Sequence, residues 1–332
     1  TDNRIYSTGG LVGSNNGEIR KVTVSGSIEG GGNTGGIAGQ NNGTVTESYT
    51  TATVTSTSSS YDAGGLAGQN TGTVEDSYAA GDVSGGDTAG GLVGDDNGEG
   101  TVTDSYWDSS SASESVGGKK RSTEEMTGAN APQSMDGFAF TSTWHATDSY
   151  PVFAWQNTEP YFGVAIENTN SPVEIGDALT TTASVTNWGA DGSGTVTRTE
   201  TDFEGKQRDS AVISPASGTA EDVDLSWTTD SQDVGSGAIT VSSGDDEATE
   251  TVRVIDPVLS LDFDGTMPLD SVDDGSANGI TLTATYEDAR TGDPIEGEPV
   301  SFSVMRASGS LENPDGSTDG NGEATATYVV GD

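Results

Sequence analysis

The sequence predicts an all-β protein: a parallel β-helix, or solenoid, followed by two further β modules. Three observations predict it. A Gly-rich segment recurs four times at a near-constant interval. Abundant Gly, with frequent Ser and Thr and scarce Pro, is the chemistry of tight turns joining short polar strands. Beyond residue 160, polar and β-branched residues alternate between turns spaced 8–12 positions apart.

The repeat comes first along the chain. Its copies are Gly9-Gly-Leu-Val-Gly-Ser-Asn-Asn-Gly17, Gly35-Gly-Ile-Ala-Gly-Gln-Asn-Asn-Gly43, Gly64-Gly-Leu-Ala-Gly-Gln-Asn-Thr-Gly72 and Gly90-Gly-Leu-Val-Gly-Asp-Asp-Asn-Gly98, starting 26, 29 and 26 residues apart. Ser48-Tyr49, Ser77-Tyr78 and Ser105-Tyr106 follow the later copies, with Val22-Thr23 in the first. Aliphatic positions align as Leu11, Ile37, Leu66 and Leu92; Ile19, Val45, Val74 and Val102; and Ile28, Val54 and Val83. One copy cannot bury three aliphatics alone, whereas stacked copies bury them as three inward ladders in one core. The spacing therefore predicts a coil of about 26 residues with three short strands, adjacent coils lying about 4.8 Å apart. The Gly pair is expected to supply positive φ and close stacking at a corner. Asn15, Asn41 and Asn70 recur at one turn position, where side-chain amides are placed to bond between coils. In the fourth copy, Glu99-Gly100 adds two residues and Asp95-Asp96 replaces Gln-Asn, which marks the last coil.

The pattern Gly-Gly-Leu-Val/Ala-Gly-x-Asn-x-Gly-x-Ile/Val resembles the GLUG-motif repeat of large bacterial and archaeal surface proteins and adhesins. The resemblance covers about residues 5–157. It implies a surface or adhesive role, and a closing cap of the array over about residues 105–157. That segment holds Ser105-Tyr-Trp-Asp108, the run 122–126, and the aromatics Phe138, Phe140, Trp144, Tyr150, Phe153 and Trp155. An open solenoid end exposes unpaired edges and core aliphatics, so these aromatics are expected to cover it. An aromatic carbohydrate-stacking surface is the other reading.

Residues 162–255 have the length and turn spacing of a seven-stranded sandwich, with Trp188 and Trp227 as expected core aromatics. Asn187-Trp-Gly189 and Asp222-Val-Asp-Leu-Ser-Trp-Thr228 resemble adhesion-type immunoglobulin-like domains of archaeal surface proteins. Residues 257–332 resemble the invasin/intimin-type immunoglobulin-like module, through Ile280–Asp288, Gly292–Gly297, Pro299–Val304 and Thr318–Tyr328. That family ends with one more strand, so this module reads as incomplete: either the parent chain continues or a neighbouring molecule donates the strand. Short linkers are expected near 157–162 and 255–258.

Composition narrows the function. Fifty-three acidic residues against 12 basic ones give a net charge of −41, and only Lys21, Lys119, Lys120 and Lys206 are lysines. In dilute buffer such a chain repels itself. At about 1 M salt the Debye length falls to about 3 Å and the repulsion is screened, which reads as adaptation to a halophile's surroundings. A basic stripe for nucleic acid is lacking, the only basic cluster being Lys119-Lys120-Arg121. An anionic membrane surface is disfavoured on the same ground, and no apolar run approaches the length of a membrane span. The absence of Cys removes disulfides and thiol chemistry. The chain begins at Thr1, which reads as a fragment or mature product.

The search for chemistry returns little. His145 is the only histidine and lies beside Trp144. Lone carboxylate pairs mean nothing on so acidic a background. Parallel β-helices do host polysaccharide lyases and hydrolases, but only Arg4, Arg20, Lys21, Lys119, Lys120 and Arg121 are cationic in the solenoid. The expectation is a non-enzymatic protein without a cofactor. Ca²⁺ is the one ion considered, at Asp315, Asp319, Asn321 and Glu323, where hairpin-turn chemistry explains the residues equally well; Asp262, Asp264, Asp273 and Asp274 are weaker candidates. Asn42-Gly-Thr44 is the one glycosylation sequon, in a turn where a ladder role competes. The expected setting is extracellular or at the cell surface. Expected partners are other surface or filament proteins, further copies of the chain, or a glycan. Three roles stay open: an adhesin stalk, a filament subunit, and a polysaccharide-acting enzyme.

Overall fold

The computed structural model describes residues 7–200, 207–264, 280–305 and 309–330. The first part is a β-solenoid of about four turns. Each of the first three coils contributes five short strands rather than the expected three, the fourth contributes four, and equivalent strands form five parallel ladders. The first ladder stacks Thr8–Gly9, Thr34–Gly35, Ala63–Gly64 and Ala89–Gly90. Val12–Asn15, Ala38–Asn41, Ala67–Asn70 and Val93–Asp95 form the second. Glu18–Arg20, Thr44–Thr46, Thr73–Glu75 and Thr101–Thr103 form the third. The fourth stacks Thr23–Val24, Tyr49–Thr50, Tyr78–Ala79, Tyr106–Asp108 and Lys119–Arg121. Ser27–Gly30, Thr53–Ser56 and Val83–Gly85 form the fifth.

The three aliphatic columns are present. Ile19, Val45, Val74 and Val102 are in direct register, as are Ile28, Val54 and Val83. Ile37, Leu66 and Leu92 are fully buried, whereas Leu11, on the first coil, is 48% exposed. It lies on the open face of the stack among the described residues, so only one side of it meets a neighbouring coil.

Of the two roles expected of the Gly pair, close stacking is present and positive φ is not. None of these eight glycines has positive φ. They are required because backbone approaches too closely for a side chain: a Cβ on Gly64 would overlap the Ala67 carbonyl oxygen across the corner of its own coil, and one on Gly65 the Gly91 carbonyl oxygen of the next coil. Left-handed backbone is instead adopted by Lys21, Glu47, Asp76 and Asp104, one per coil, at the corner before the fourth ladder. That conformation costs a non-Gly residue roughly 1–2 kcal/mol.

The corner is held by serine. Ser48 Oγ accepts from Val22 N at 3.2 Å and donates to Thr46 O at 2.8 Å. Ser77 and Ser105 repeat the pattern, accepting from Ser48 N and Ser77 N and donating to Glu75 O and Thr103 O. At the opposite turn Asn15 Nδ2 donates to Asn41 Oδ1, and Asn41 Nδ2 to Asn70 Oδ1, both at 2.7 Å and buried. The expected amide ladder is therefore present. It stops at the fourth coil, where Asp96 turns back to accept from Gly98 N.

Two segments, not one aromatic cap, finish the solenoid. The end of the interior core is covered by residues 107–118: Trp107, Ala112 and Val116 pack with Leu92 and Val93 in the same cluster as Ile37 and Leu66. Val116 N donates to Val93 O there. The aromatics of 126–153 lie instead against the side of the solenoid, on Tyr49, Tyr78 and Tyr106 of the fourth ladder. Their expected place over the open end is thus corrected. A capping role needs area over interior aliphatics, and Phe138, Phe140, Trp144 and Phe153 cluster with the ladder tyrosines. Trp155 is 69% exposed.

The next part has a three-stranded sheet of Phe162–Thr169, Ala178–Asn187 and Ala220–Thr228, and a five-stranded sheet of Val173–Glu174, Glu247–Ile255, Gly235–Ser242, Gly194–Glu200 and Gln207–Ile213. Alternate residues of both sheets share a core: Val164, Ala183, Val185, Val223 and Leu225 from one, Val196, Ile213 and Val241 from the other. Trp227 is buried in a second cluster between the same sheets, beside Leu179 and Ile239. Trp188 is not in that core. It packs edge-on to Phe140 and sits with the aromatic segment. The stretch 157–162 is accordingly no free linker: Tyr161 is buried against the aromatic segment, and its carbonyl accepts from Trp188 N.

The last part is one antiparallel sheet in the order Pro257–Asp264, Ile280–Asp288, Glu323–Val330, Gly309–Glu312. The 255–258 stretch is also packed rather than loose, with Ala289 N donating to Asp256 O and Arg253 paired with Asp293. Residues 299–305 form no ladder beyond a bridge between Pro299 and Ser317.

Candidate functional site

The fourth ladder and the aromatic segment enclose a groove. Tyr49 and Tyr78 stack in register with ring centroids 4.9 Å apart and planes within 8°. Trp144 and Phe153 press on Tyr49, and Phe138 stacks on Trp144. Each tyrosine hydroxyl is then fixed by the segment: Tyr49 donates to Gln156 Oε1, Tyr78 to Pro151 O and Tyr106 to Asp136 Oδ1. Tyr150 closes the far side, donating to Asp108 Oδ2 at 2.5 Å. Asp108 is fully buried and also accepts from Ser110 N and Oγ. Burial raises its carboxyl, but the hydrogen bonds from Ser110 and Tyr150 outweigh that and hold it below its ordinary range. Burial, together with the Asp108 carboxylate, pushes the Tyr150 hydroxyl up to about 12.

The groove between these elements measures about 330 Å³ and is lined by Thr23, Ser25, Tyr49, Thr51, Tyr78, Thr147, Ser149, Tyr150, Val152 and Gln156. It crosses three coils, since Thr23 and Ser25 belong to the first, Tyr49 and Thr51 to the second, and Tyr78 to the third. No lining side chain is charged.

The left-handed corner forms a separate acidic column. Glu47 is paired with Arg20 at 2.6 Å and lies 3.8 Å from Lys21. The Arg20 bond holds the Glu47 carboxyl down. At the other end Asp104 meets Lys119 at 3.3 Å. Asp76, between them, is raised by burial and by the charges of Glu75, Asp104 and Glu47.

The candidates read from sequence fall into turns. Asp315 Oδ2 accepts from Thr325 N and Oγ1, which holds its carboxyl low. Asp319 Oδ1 accepts from Asn321 N and Glu323 N. Both carboxylates are thus spent on hairpin backbone, and among the described residues no group of three or more His, Cys, Asp or Glu side chains is placed to hold a metal. Asp262 and Asp264 are exposed on an edge strand, and Asp273 and Asp274 lie outside the described residues. Asn42 is exposed, donates to Asn16 Oδ1 and accepts from Thr71 Oγ1, forming a surface ladder. His145 is buried, its Nδ1 3.1 Å from Asn157 O. Lys119, Lys120 and Arg121 lie over the rings of Tyr106 and Trp107. The lining hydroxyls of the groove were not singled out by the sequence; the recurrence of Ser-Tyr after each Gly-rich segment was the signal that led towards them.

A second surface is the edge strand Pro257–Asp264. Leu259, Leu261 and Phe263 alternate along it and are 57%, 63% and 46% exposed.

Residues 59–84 match the family described as the GLUG motif. A protein named Halomucin, from Haloquadratum walsbyi (strain DSM 16790 / HBSQ001), is 35% identical over 119 residues, or 32% of this chain. The chain spans about 1% of that relative's length. Among solved structures, the CARDB domain of a Pyrococcus furiosus protein in complex with di-metal ions covers 29% of this chain, and 94% of its own chain is covered, at 18% identity and a TM-score of 0.25. A β-glucosidase from Listeria innocua covers 33% of this chain, and 18% of its own is covered, at 12% identity and a TM-score of 0.26. Likeness at those scores bears on neither fold nor function here.

Proposed function

We propose that the chain is a non-enzymatic, structural segment of an extracellular or cell-surface protein of a halophile, a stalk that displays a β-solenoid. One observation carries this reading. The recurring polar residues of the repeat, Asn15, Asn41 and Asn70 and Ser48, Ser77 and Ser105, are consumed in coil-to-coil hydrogen bonds. A repeat kept for chemistry would instead turn its polar groups towards a substrate. The charge of −41 supports a high-salt setting, and likeness to a protein named as a mucin supports an exterior one. The two sheets after residue 162 and the sheet after 257 are read as immunoglobulin-like spacers.

A second reading is favoured by the apolar edge strand Pro257–Asp264. An exposed edge with alternating large apolar side chains is a template for strand addition, and a filament joined by strand donation would use it. Electron microscopy of the purified chain in molar KCl separates the two. Monomeric particles support the stalk; ordered fibres that disappear in Leu261→Lys support the filament. Sustained release of reducing sugar from polysaccharides would overturn both.

A further inference from the structure

We propose that the groove between the tyrosine ladder and the aromatic segment binds a linear, uncharged glycan. This goes beyond the stalk reading and stands or falls separately from it.

The argument starts from charge. Acidic residues outnumber basic ones by more than four to one, yet the ten residues lining this groove include no Asp, Glu, Lys or Arg. A cation finds no carboxylate there, and a phosphate or acidic polymer finds no counter-charge. A purely apolar ligand is equally unsuited, because Val152 is the single aliphatic wall. What lines the groove is hydroxyl and amide. Thr23, Ser25, Thr51, Ser149 and Gln156 are exposed into solvent, and the four hydroxyls make no side-chain hydrogen bond to any described residue. A hydroxyl is both donor and acceptor and rotates to suit its partner, the property that matches a sugar hydroxyl of unknown orientation.

The aromatic component fits the other half of a sugar, its apolar C–H face. Tyr150, half-buried, forms the ring-lined part of the wall; Tyr49 and Tyr78 are buried behind it and support it, and the three hydroxyls are already tied to Asp108, Gln156 and Pro151. The rings are therefore fixed before a ligand arrives, which lowers the ordering cost of binding. Trp155, next in sequence to Gln156, is 69% exposed and stacks on Phe153 with centroids 5.9 Å apart. A large aromatic left in water on a rigid support is placed for stacking. The repeat also sets a ruler. Ser25 and Thr51 hold equivalent positions on the first two coils, about 4.8 Å apart, close to the length of one sugar unit in a linear chain, and Ala80 takes that position on the third.

The test is calorimetric titration of the full chain in molar KCl. The neutral probes are maltohexaose, cellohexaose and mannohexaose; the counter-probes are an alginate oligosaccharide and a Ser/Thr-rich peptide. At least one neutral probe is expected to bind. Its affinity is expected to fall at least tenfold in Thr51→Glu, which puts a carboxylate into the groove, and several-fold in Trp155→Ala. Both positions are exposed, so unchanged circular dichroism is expected to accompany the loss. Failure of all three neutral probes overturns the proposal, as does binding that Thr51→Glu leaves unchanged, or binding of the alginate or the peptide alone.

Discussion

Asn41 donates from Nδ2 to Asn70 Oδ1 at 2.7 Å, and both side chains are fully removed from solvent. Asn41 and Asn70 each accept from one neighbouring coil and donate to the other, and Asn15 starts the column by donating to Asn41, so the column works only as a whole. Asn41→Ala leaves Asn70 Oδ1 and the Thr73 carbonyl without that donor, and Asn15 Nδ2 without its 2.7 Å acceptor. A buried group left unsatisfied costs about 1–3 kcal/mol, so a loss of about 2–4 kcal/mol is expected. Asn42→Ala, one residue on but exposed, should stay within about 0.5 kcal/mol. Denaturant unfolding in molar KCl measures both.

The glycines divide by what a Cβ would meet. Gly65→Ala would drive a methyl group into the Gly91 carbonyl and the Ala79 side chain, and overpacking against backbone should cost about 3 kcal/mol or more. Gly17 has nothing within 4 Å of that position. Gly17→Ala is expected to be neutral or to stabilise by up to about 1 kcal/mol. Thermal melts of the pair distinguish close approach from a general need for flexibility.

Asp76 carries like charges above and below. Its carboxyl is held above the ordinary range, so the fold favours its protonated form. The contribution of this site is therefore most favourable at low pH and is lost as pH rises through the folded value. Asp76→Asn removes the charge and keeps a residue type tolerant of left-handed backbone. At neutral pH it should stabilise by about 0.5 kcal/mol. The gain should shrink in molar salt as the repulsion is screened, and vanish below about pH 3, where carboxyls are protonated. Melting temperatures across a salt and pH grid check all three.

Tyr150 and Asp108 make the converse case. Burial beside a carboxylate raises the hydroxyl from its usual value to about 12. Stability from this bond is fully present below about pH 10 and is lost as pH rises through about 12. Tyr150→Phe removes one of the hydrogen bonds on the buried Asp108 carboxylate, at a cost of about 1–3 kcal/mol. The alkaline loss of stability should be smaller in the variant than in the parent.

The repeat made the solenoid legible because Ile19, Val45 and Val74 and their companion columns recur at one interval, and stacked copies are the only way to bury them. The amide column was legible for the same reason. The cross-section was not. Tyr49–Thr50 and Tyr78–Ala79 are strands of two residues, too short for alternation to mark them. Their tyrosines read as punctuation after a serine rather than as a ladder. Once those rings face outwards, a lateral partner is required, and the aromatics of 126–153 supply it. Composition revealed the aromatic density but not its direction. The groove followed from that direction, which is why its hydroxyls, individually unremarked, became visible only in three dimensions. Trp188 was misplaced similarly: its neighbours Asn187 and Gly189 lie where one sheet meets the aromatic segment, and sequence spacing carries no information about that junction.

The central claim is that this chain belongs outside the cell. Immunogold labelling of intact, unpermeabilised producing cells, kept in molar salt, tests it most directly. Gold along the cell exterior or on material extending from it is the predicted result. Label that appears only after permeabilisation would contradict it.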